Sequence, residues 1–262
     1  MSETLFVDHS DGVATLTLNR PESMNSLSIE LKEALLAALT EARDDDAVRA
    51  VVLAGQGRGF CVGQDLREHA ELLRQGNGSV LDTVRRHYNP IVLTISRMPK
   101  PVVAAVGGMA AGAGASLAFA ADLRIAGQSA RFLLAFANVG LSADSGASWT
   151  LPRLVGRARA TELLMLAEPV TAEDALRYGL VNRVVPDDRV LIAAHELAAR
   201  LANGPTAAYA AIKESLLYAE SASLEDALER EAVLQLRAGA TEDHRNATAS
   251  FVAKEKPVFH GH

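Results

Sequence analysis

The sequence predicts an α/β fold in which helices cover a sheet, followed by a stretch that is helical throughout. Two observations carry this reading. Short strand-like runs alternate with helical ones over the first part of the chain, and the strand signal nearly disappears beyond Arg157. A third observation concerns function: three loops of small residues, each bounded by glycine, interrupt that rhythm where backbone could meet a ligand.

In chain order, Val13 to Leu18 alternates like a half-exposed strand. Ile29 to Arg43 carries Leu31, Leu35, Ala38 and Ala42 at helical spacing, with Ser28 placed to cap the first turn. Arg49–Leu53, Val102–Val106 and Asp122–Ala126 read as buried strands, and Gly112 to Ala121 as a helix between the last two. Then come helices over Thr161–Leu166, Ala172–Tyr178, Val190–Leu201, Ala207–Tyr218 and Leu224–Leu236. The apolar run from Pro101 to Ala121 is dominated by Gly and Ala, so it reads as a strand and a tightly packed helix rather than a membrane span.

Composition narrows the classes. With 262 residues, 49% apolar and 22% charged, the chain is an ordinary globule of one large domain or a domain with an appendage. A net charge of −6 argues against a nucleic-acid binder. The single cysteine, Cys61, allows no internal disulfide and is read as a small packed residue. The seven histidines show no ligand spacing, so no metal is expected. The start, Met1-Ser2-Glu3-Thr4, lacks a signal pattern, and a cytoplasmic location is expected.

The loops are Gly59-Phe60-Cys61-Val62-Gly63-Gln64-Asp65, Gly107 to Gly114, and Leu141-Ser142-Ala143-Asp144-Ser145-Gly146. Glycine and alanine let backbone N–H groups approach a ligand, and an acid nearby can move its protons, a combination suited to chemistry at a carbonyl. Other glycine-loop chemistries fail on detail. Gly114 is followed by Ala115-Ser116 and not by the Lys-Ser/Thr of a phosphate loop; Gly112 to Leu117 has two glycines where a dinucleotide fingerprint needs three; no Gly-x-Ser-x-Gly elbow exists. By residues alone, Gly107 to Gly114 also reads as close helix–strand packing, and Asp-Ser-Gly as a helix N-cap.

Taken together, the loops resemble those of the crotonase (enoyl-CoA hydratase/isomerase) superfamily, along almost the whole chain from Leu18-Asn19-Arg20-Pro21 to Phe251-Val252-Ala253-Lys254. The most specific stretches are Arg58 to Leu66 and Pro99 to Gly108. The resemblance implies a crotonase-like spiral of ββα turns over residues 1–195, and a C-terminal helical trimerisation region over 196–262 with no flexible linker. It also implies an acyl-CoA thioester substrate, coenzyme A being part of that substrate and no separate cofactor being needed. Partners would be further copies of the chain, as a homotrimer or a dimer of trimers, without nucleic acid or membrane.

By position in the motifs, the backbone N–H groups of Gln64 and Ala113 would form an oxyanion hole for the thioester enolate. Alanine serves there as well as glycine so long as its φ is negative. Ser23, Met24, Val62, Gly63, Asp65 and Leu66 would border the substrate channel, with Asp65 bracing its loop. Phe136 would wall the acyl pocket, and Phe251 and Lys254 would reach a neighbouring subunit's CoA or simply sit on an exposed helix. Tyr88 would line the pocket or pack beside it.

The departures from the family pattern bear on the reaction. Hydratases carry two glutamates at the positions occupied here by Ser116 and Phe136, which cannot act as an acid–base pair on water. Asp144 remains as the candidate acid. With Tyr88-Asn89-Pro90 and the stretch Trp149 to Ala160, it resembles the branch of the family that rearranges an epoxidised ring thioester and shifts β,γ double bonds into conjugation. The chain departs from that branch at Ser142-Ala143 and Ala147-Ser148. The expected activity is therefore acyl-CoA isomerisation through an enolate, with Asp144 as acid and base. The alternatives are a hydratase, hydrolase or lyase acting on another acyl-CoA, and a noncatalytic acyl-CoA or RNA-binding homologue.

Overall fold

The computed structural model describes residues 4–76 and 80–262. A hairpin of β1 (Leu5–Ser10) and β2 (Val13–Leu18) leads to α1 (Ile29–Asp44), where Ser28 Oγ accepts the Leu31 N–H at 3.2 Å. The chain then winds through β3 (Ala50–Gly55), β4 (Gly59–Cys61), α2 (Leu66–Arg74), a π-helical turn at Val84–Tyr88 and α3 (Asn89–Arg97). The next turns are β5 (Val102–Val106), β6 (Met109–Ala111) and α4 (Ala113–Ala120), then β7 (Leu123–Gly127), β8 (Arg131–Leu133) and α5 (Ala147–Leu166). Gly156, at φ +74° and ψ 159°, breaks α5 into two segments.

Each turn gives one strand to each of two sheets. The larger has the order β1-β2-β3-β5-β7-β10, parallel from β2 onward; the smaller runs β4-β6-β8-β9. The last members of the two sheets, β9 (Val170–Thr171) in the smaller and β10 (Arg183–Val185) in the larger, lie beyond Arg157 on either side of α6 (Ala172–Tyr178), where the sequence shows almost no strand signal. Strands of two and three residues are too short to show alternation.

One face of the large sheet packs against α1, α3 and α4 through a core that includes Leu16, Leu53, Ile91 and Leu117. Helix α7 (Val190–Ala202) covers the other face with Val190, Ala194, Ala198 and Ala202 against Val52, Val103 and Ile125. The boundary expected after residue 195 falls within α7, whose buried residues all pack on the large sheet.

Beyond it, α8 (Thr206–Ala219), α9 (Leu224–Gly239) and α10 (Glu242–Ala253) bury one residue each: Ala211, Leu234 and Asp243. Lys213 pins α8 to the core by donating to Asp122 Oδ2 and to the Ile95 carbonyl, both at 2.8 Å. Leu216, Leu224, Leu236 and Phe251 are left exposed. No described helix is long and apolar enough to cross a membrane.

Candidate active site

The three loops leave the same end of one sheet. Strands β4, β6 and β8 are neighbours and parallel, with Cys61 beside Ala110 and Ala111 beside Leu133. Their carboxyl ends therefore deliver Val62–Asp65, Gly112–Ala113 and the long segment from Leu134 to Gly146 side by side, the edge of a parallel sheet where ligands usually bind.

Local geometry frees the two expected donors. Leu27 bridges the first loop by donating to the Gly63 carbonyl at 2.7 Å and accepting from Asp65 N–H at 3.3 Å. In a parallel bridge of this pattern the intervening Gln64 N–H points away from the partner strand. Ala113 is the first residue of α4, where a helix leaves its N–H without an internal acceptor, and its φ is not positive.

The loops also touch. Gly63 sits at φ +84°, and a side chain there would lie 2.9 Å from the Ala111 carbonyl oxygen and 3.1 Å from the Ala113 nitrogen. A Cβ on Gly114 would lie 2.1 Å from the Cys61 carbonyl oxygen, so glycine alone lets α4 start this close to β4. Two N–H groups thus stand on abutting loops with the positive end of α4 behind one of them.

Asp144 occupies the third loop. Its carbonyl accepts the Ala147 N–H at 3.0 Å across Ser145 (φ +52°) and Gly146 (φ +78°), the signature of a type I′ turn. The residue that caps α5 is Gly146, without any side-chain bond, so the Asp144 carboxylate is not spent on capping. It accepts from Ser145 Oγ at 2.8 Å and is half-buried. Burial raises its pKa above the ordinary carboxylate value, while the Ser145 hydrogen bond and the positive charge of Lys32 oppose the rise. A carboxylate in this state takes up a proton more readily than one in water.

The two positions at which the resemblance places the hydratase glutamates carry no acid. Ser116 is fully buried and its hydroxyl donates to the Gly112 carbonyl at 3.0 Å; Phe136 is buried in the core. Cys61 is also buried, and desolvation pushes its thiol up to about 12, which leaves it inert.

A polar lattice ties the segment before α1 to the first loop, the side expected to border the substrate. Asn25 Nδ2 donates to the carbonyls of Gln56, Gly59 and Phe60, and its Oδ1 accepts from Arg20 N–H. Arg20 reaches Ser26 and, at 2.8 Å, Asp65 Oδ2. Asp65 Oδ1 accepts from Arg67 and Glu68 N–H at the start of α2, so its carboxylate braces the loop. Ser23 and Met24 lie in the same unit, Met24 accepting the Val62 N–H at 3.2 Å, and Leu66 begins α2 with its side chain exposed.

Arg20, Asn25 and Ser26 were not singled out from the sequence as supports. A positive φ at Asn25 and contacts across dozens of residues leave little local trace, although Arg20 stands inside a recognised motif. Lys32 and Tyr88 also converge here, on the side chain of Gln64. Phe251 and Lys254 are not brought to these loops within one chain; they lie exposed at the end of α10.

Residues 8–262 match the enoyl-CoA hydratase/isomerase family model. The 1,2-epoxyphenylacetyl-CoA isomerase of Escherichia coli strain K12 is 41% identical over 264 aligned positions, covering 100% of both chains. A probable enoyl-CoA hydratase of Rhodobacter capsulatus is 45% identical over 98% of each chain. A crystal structure of an enoyl-CoA hydratase/isomerase from Mycobacterium abscessus superposes with a TM-score of 0.95 at 47% identity, covering 98% of this chain and 100% of that one. The family model over residues 8–262 and the full-length relatives place this chain, with its two sheets and the loops at the carboxyl end of the smaller one, in the enoyl-CoA hydratase/isomerase, or crotonase, family.

Proposed function

We propose that the protein is a CoA-thioester isomerase that moves a β,γ double bond into α,β conjugation, or rearranges an epoxidised ring thioester, through an enolate. The observation that carries the reading is the half-buried carboxylate of Asp144, free of any capping role, on the loop beside two outward N–H donors, while Ser116 and Phe136 leave the hydratase acid positions empty of acids. Asp144 would take the α-proton as the C–H electron pair passes into the thioester carbonyl. The N–H groups of Gln64 and Ala113 would hold the resulting oxyanion. Collapse of the enolate would return the same proton from Asp144 to the γ-carbon, so one group serves as base and then acid.

A second reading, hydration with Asp144 activating water, is favoured by the name of the Rhodobacter capsulatus relative. The two are separated by supplying trans-3-hexenoyl-CoA and crotonyl-CoA in parallel. Appearance of the conjugated thioester from the first, with slow loss of conjugation in the second, supports isomerisation. Rapid hydration of crotonyl-CoA overturns it. The exposed apolar residues of α8 to α10 support assembly into a trimer or a dimer of trimers, whose closed symmetry would cover them.

A further inference from the structure

Lys32 is fully buried on the core face of α1, where the other buried residues are leucines and alanines. Its Nζ donates to Thr83 Oγ1 at 2.7 Å and to Gln64 Oε1 at 3.1 Å, and lies 5.2 Å from the centre of the Tyr88 ring. The same Gln64 oxygen accepts the Tyr88 hydroxyl. Both side-chain partners of the ammonium are neutral, and among the described residues it forms no ion pair with a carboxylate. A buried charge held this way destabilises the fold relative to a well-packed apolar residue, so packing does not account for it.

The residue it grips does account for it. Gln64 turns its backbone N–H toward the expected oxyanion and its side-chain carbonyl toward Lys32 and Tyr88. We propose that Lys32 is a positioning residue of the oxyanion site, its buried ammonium holding the Gln64 side chain and supplying positive potential behind the Gln64 N–H where enolate charge develops. This rests on the enolate reading given above. The charged and titratable groups around Lys32 are Glu33 on α1, Asp65 and Glu68 at the start of α2, Arg86, His87 and Tyr88 on the π-turn, and Asp144. Burial lowers its pKa below the ordinary lysine value, and the carboxylates of Glu68, Asp65, Asp144 and Glu33 oppose the fall. At about 8 Å, one glutamine side chain away, and an effective dielectric near 20, a unit charge is worth roughly tenfold to thirtyfold in rate.

The test uses the full-length protein and its Lys32→Met and Lys32→Gln variants. Methionine keeps the buried stem, and Gln64 and Thr83 keep Tyr88 and His87 as partners. Glutamine keeps a donor and removes the charge. Turnover of trans-3-hexenoyl-CoA and solvent-deuterium exchange into butyryl-CoA are measured for all three. In both variants we expect kcat and the exchange rate to fall roughly tenfold to thirtyfold with KM within about twofold. Full recovery in Lys32→Gln assigns the effect to the tether and overturns the electrostatic role; an effect confined to KM overturns it as well. Should Lys32→Met fail to fold, Lys32→Gln decides alone. A wild type that exchanges no α-proton overturns the enolate reading and this inference together. A wild type that exchanges while both variants keep pace overturns only the inference.

Discussion

Replacing Asp144 by asparagine removes the proposed base while leaving its surroundings almost unchanged. The type I′ turn is closed by the backbone carbonyl of residue 144, which the substitution keeps, and the amide oxygen can still accept the Ser145 hydroxyl. Among the described residues, the Asp144 side chain makes no hydrogen bond to either donor loop. What disappears is general acid–base catalysis, which contributes about 10²–10⁴-fold, so kcat is expected to fall by that factor, about 2.7–5.5 kcal/mol in barrier. KM should stay within about twofold, because the groups expected to hold CoA are untouched.

Stability gives a second, opposite-facing readout. A carboxylate whose folded-state pKa is raised holds its proton more tightly in the folded state than in the unfolded one. Its ionisation therefore destabilises the fold: the penalty is absent below the ordinary carboxylate pKa and fully developed once pH passes the raised folded value. At neutral pH the asparagine variant should melt at the same temperature as the wild type or higher. Conversion of trans-3-hexenoyl-CoA followed by absorbance, with a parallel thermal melt, provides both numbers. Turnover within a factor of a few of wild type would refute the assignment, as would a loss of activity accompanied by a large fall in Tm.

Ser145→Ala removes a hydrogen bond that lowers the Asp144 pKa, so the acidic limb of the kcat/KM profile should move to higher pH; a limb that stays put or moves down contradicts the role given to this hydroxyl. Gly63→Ala places a methyl group against the Ala111 carbonyl and the Ala113 nitrogen at φ +84°, and by misaligning one donor should lower kcat about 10²–10³-fold. Normal kinetics in that variant would mean the two loops do not form one donor site. Lys254→Ala should weaken binding of CoA esters while sparing dephospho-CoA esters, by ~1.5–3 kcal/mol if the lysine is partly buried against a neighbouring subunit and less if exposed. Equal loss for both ester types, or an active monomer in sedimentation, removes the tail from the site.

Elements with enough residues to repeat a pattern were legible in the sequence. The stripe of Leu31, Leu35, Ala38 and Ala42 is buried in α1 as its spacing predicts, and Ser28 caps that helix. The strands of the small sheet escaped notice because β4, β6 and β8 have three residues each, which is one and a half periods of alternation. The three loops were visible as glycine spacing, but their meeting was not: Gly63 against Ala113 and Gly114 against Cys61 join positions about fifty residues apart. Asp144 shows the limit most clearly. Asp-Ser-Gly before a helix fits an N-cap as well as a free acid, and only the paired left-handed residues Ser145 and Gly146, which move the cap to Gly146, separate the two. Lys32 did carry a local signal, a charge three residues before Leu35 on an apolar stripe, but its partner Gln64 lies on another element.

The arrangement of the small sheet explains how one scaffold can host different acids without disturbing its donors. Gln64 and Ala113 are fixed by β4 and β6, and by glycines whose replacement would collide with backbone; that part of the site has little room to vary. The third loop is different in kind. It runs from Leu134 to Gly146 without a regular element beyond one short 3-10 turn at Ala137–Val139, and it leaves β8 parallel to the other two. An acid near its start, at the position of Phe136, and an acid near its end, at Asp144, would approach the same pair of donors from different places. With Phe136 buried in the core and Ser116 bonded to its own helix, the early position is closed here and the late one is open. On the proposed enolate reading, the reaction would be decided less by the two N–H donors than by where along one loop the carboxylate stands. A single late carboxylate suits the movement of one proton between two carbons of the same substrate.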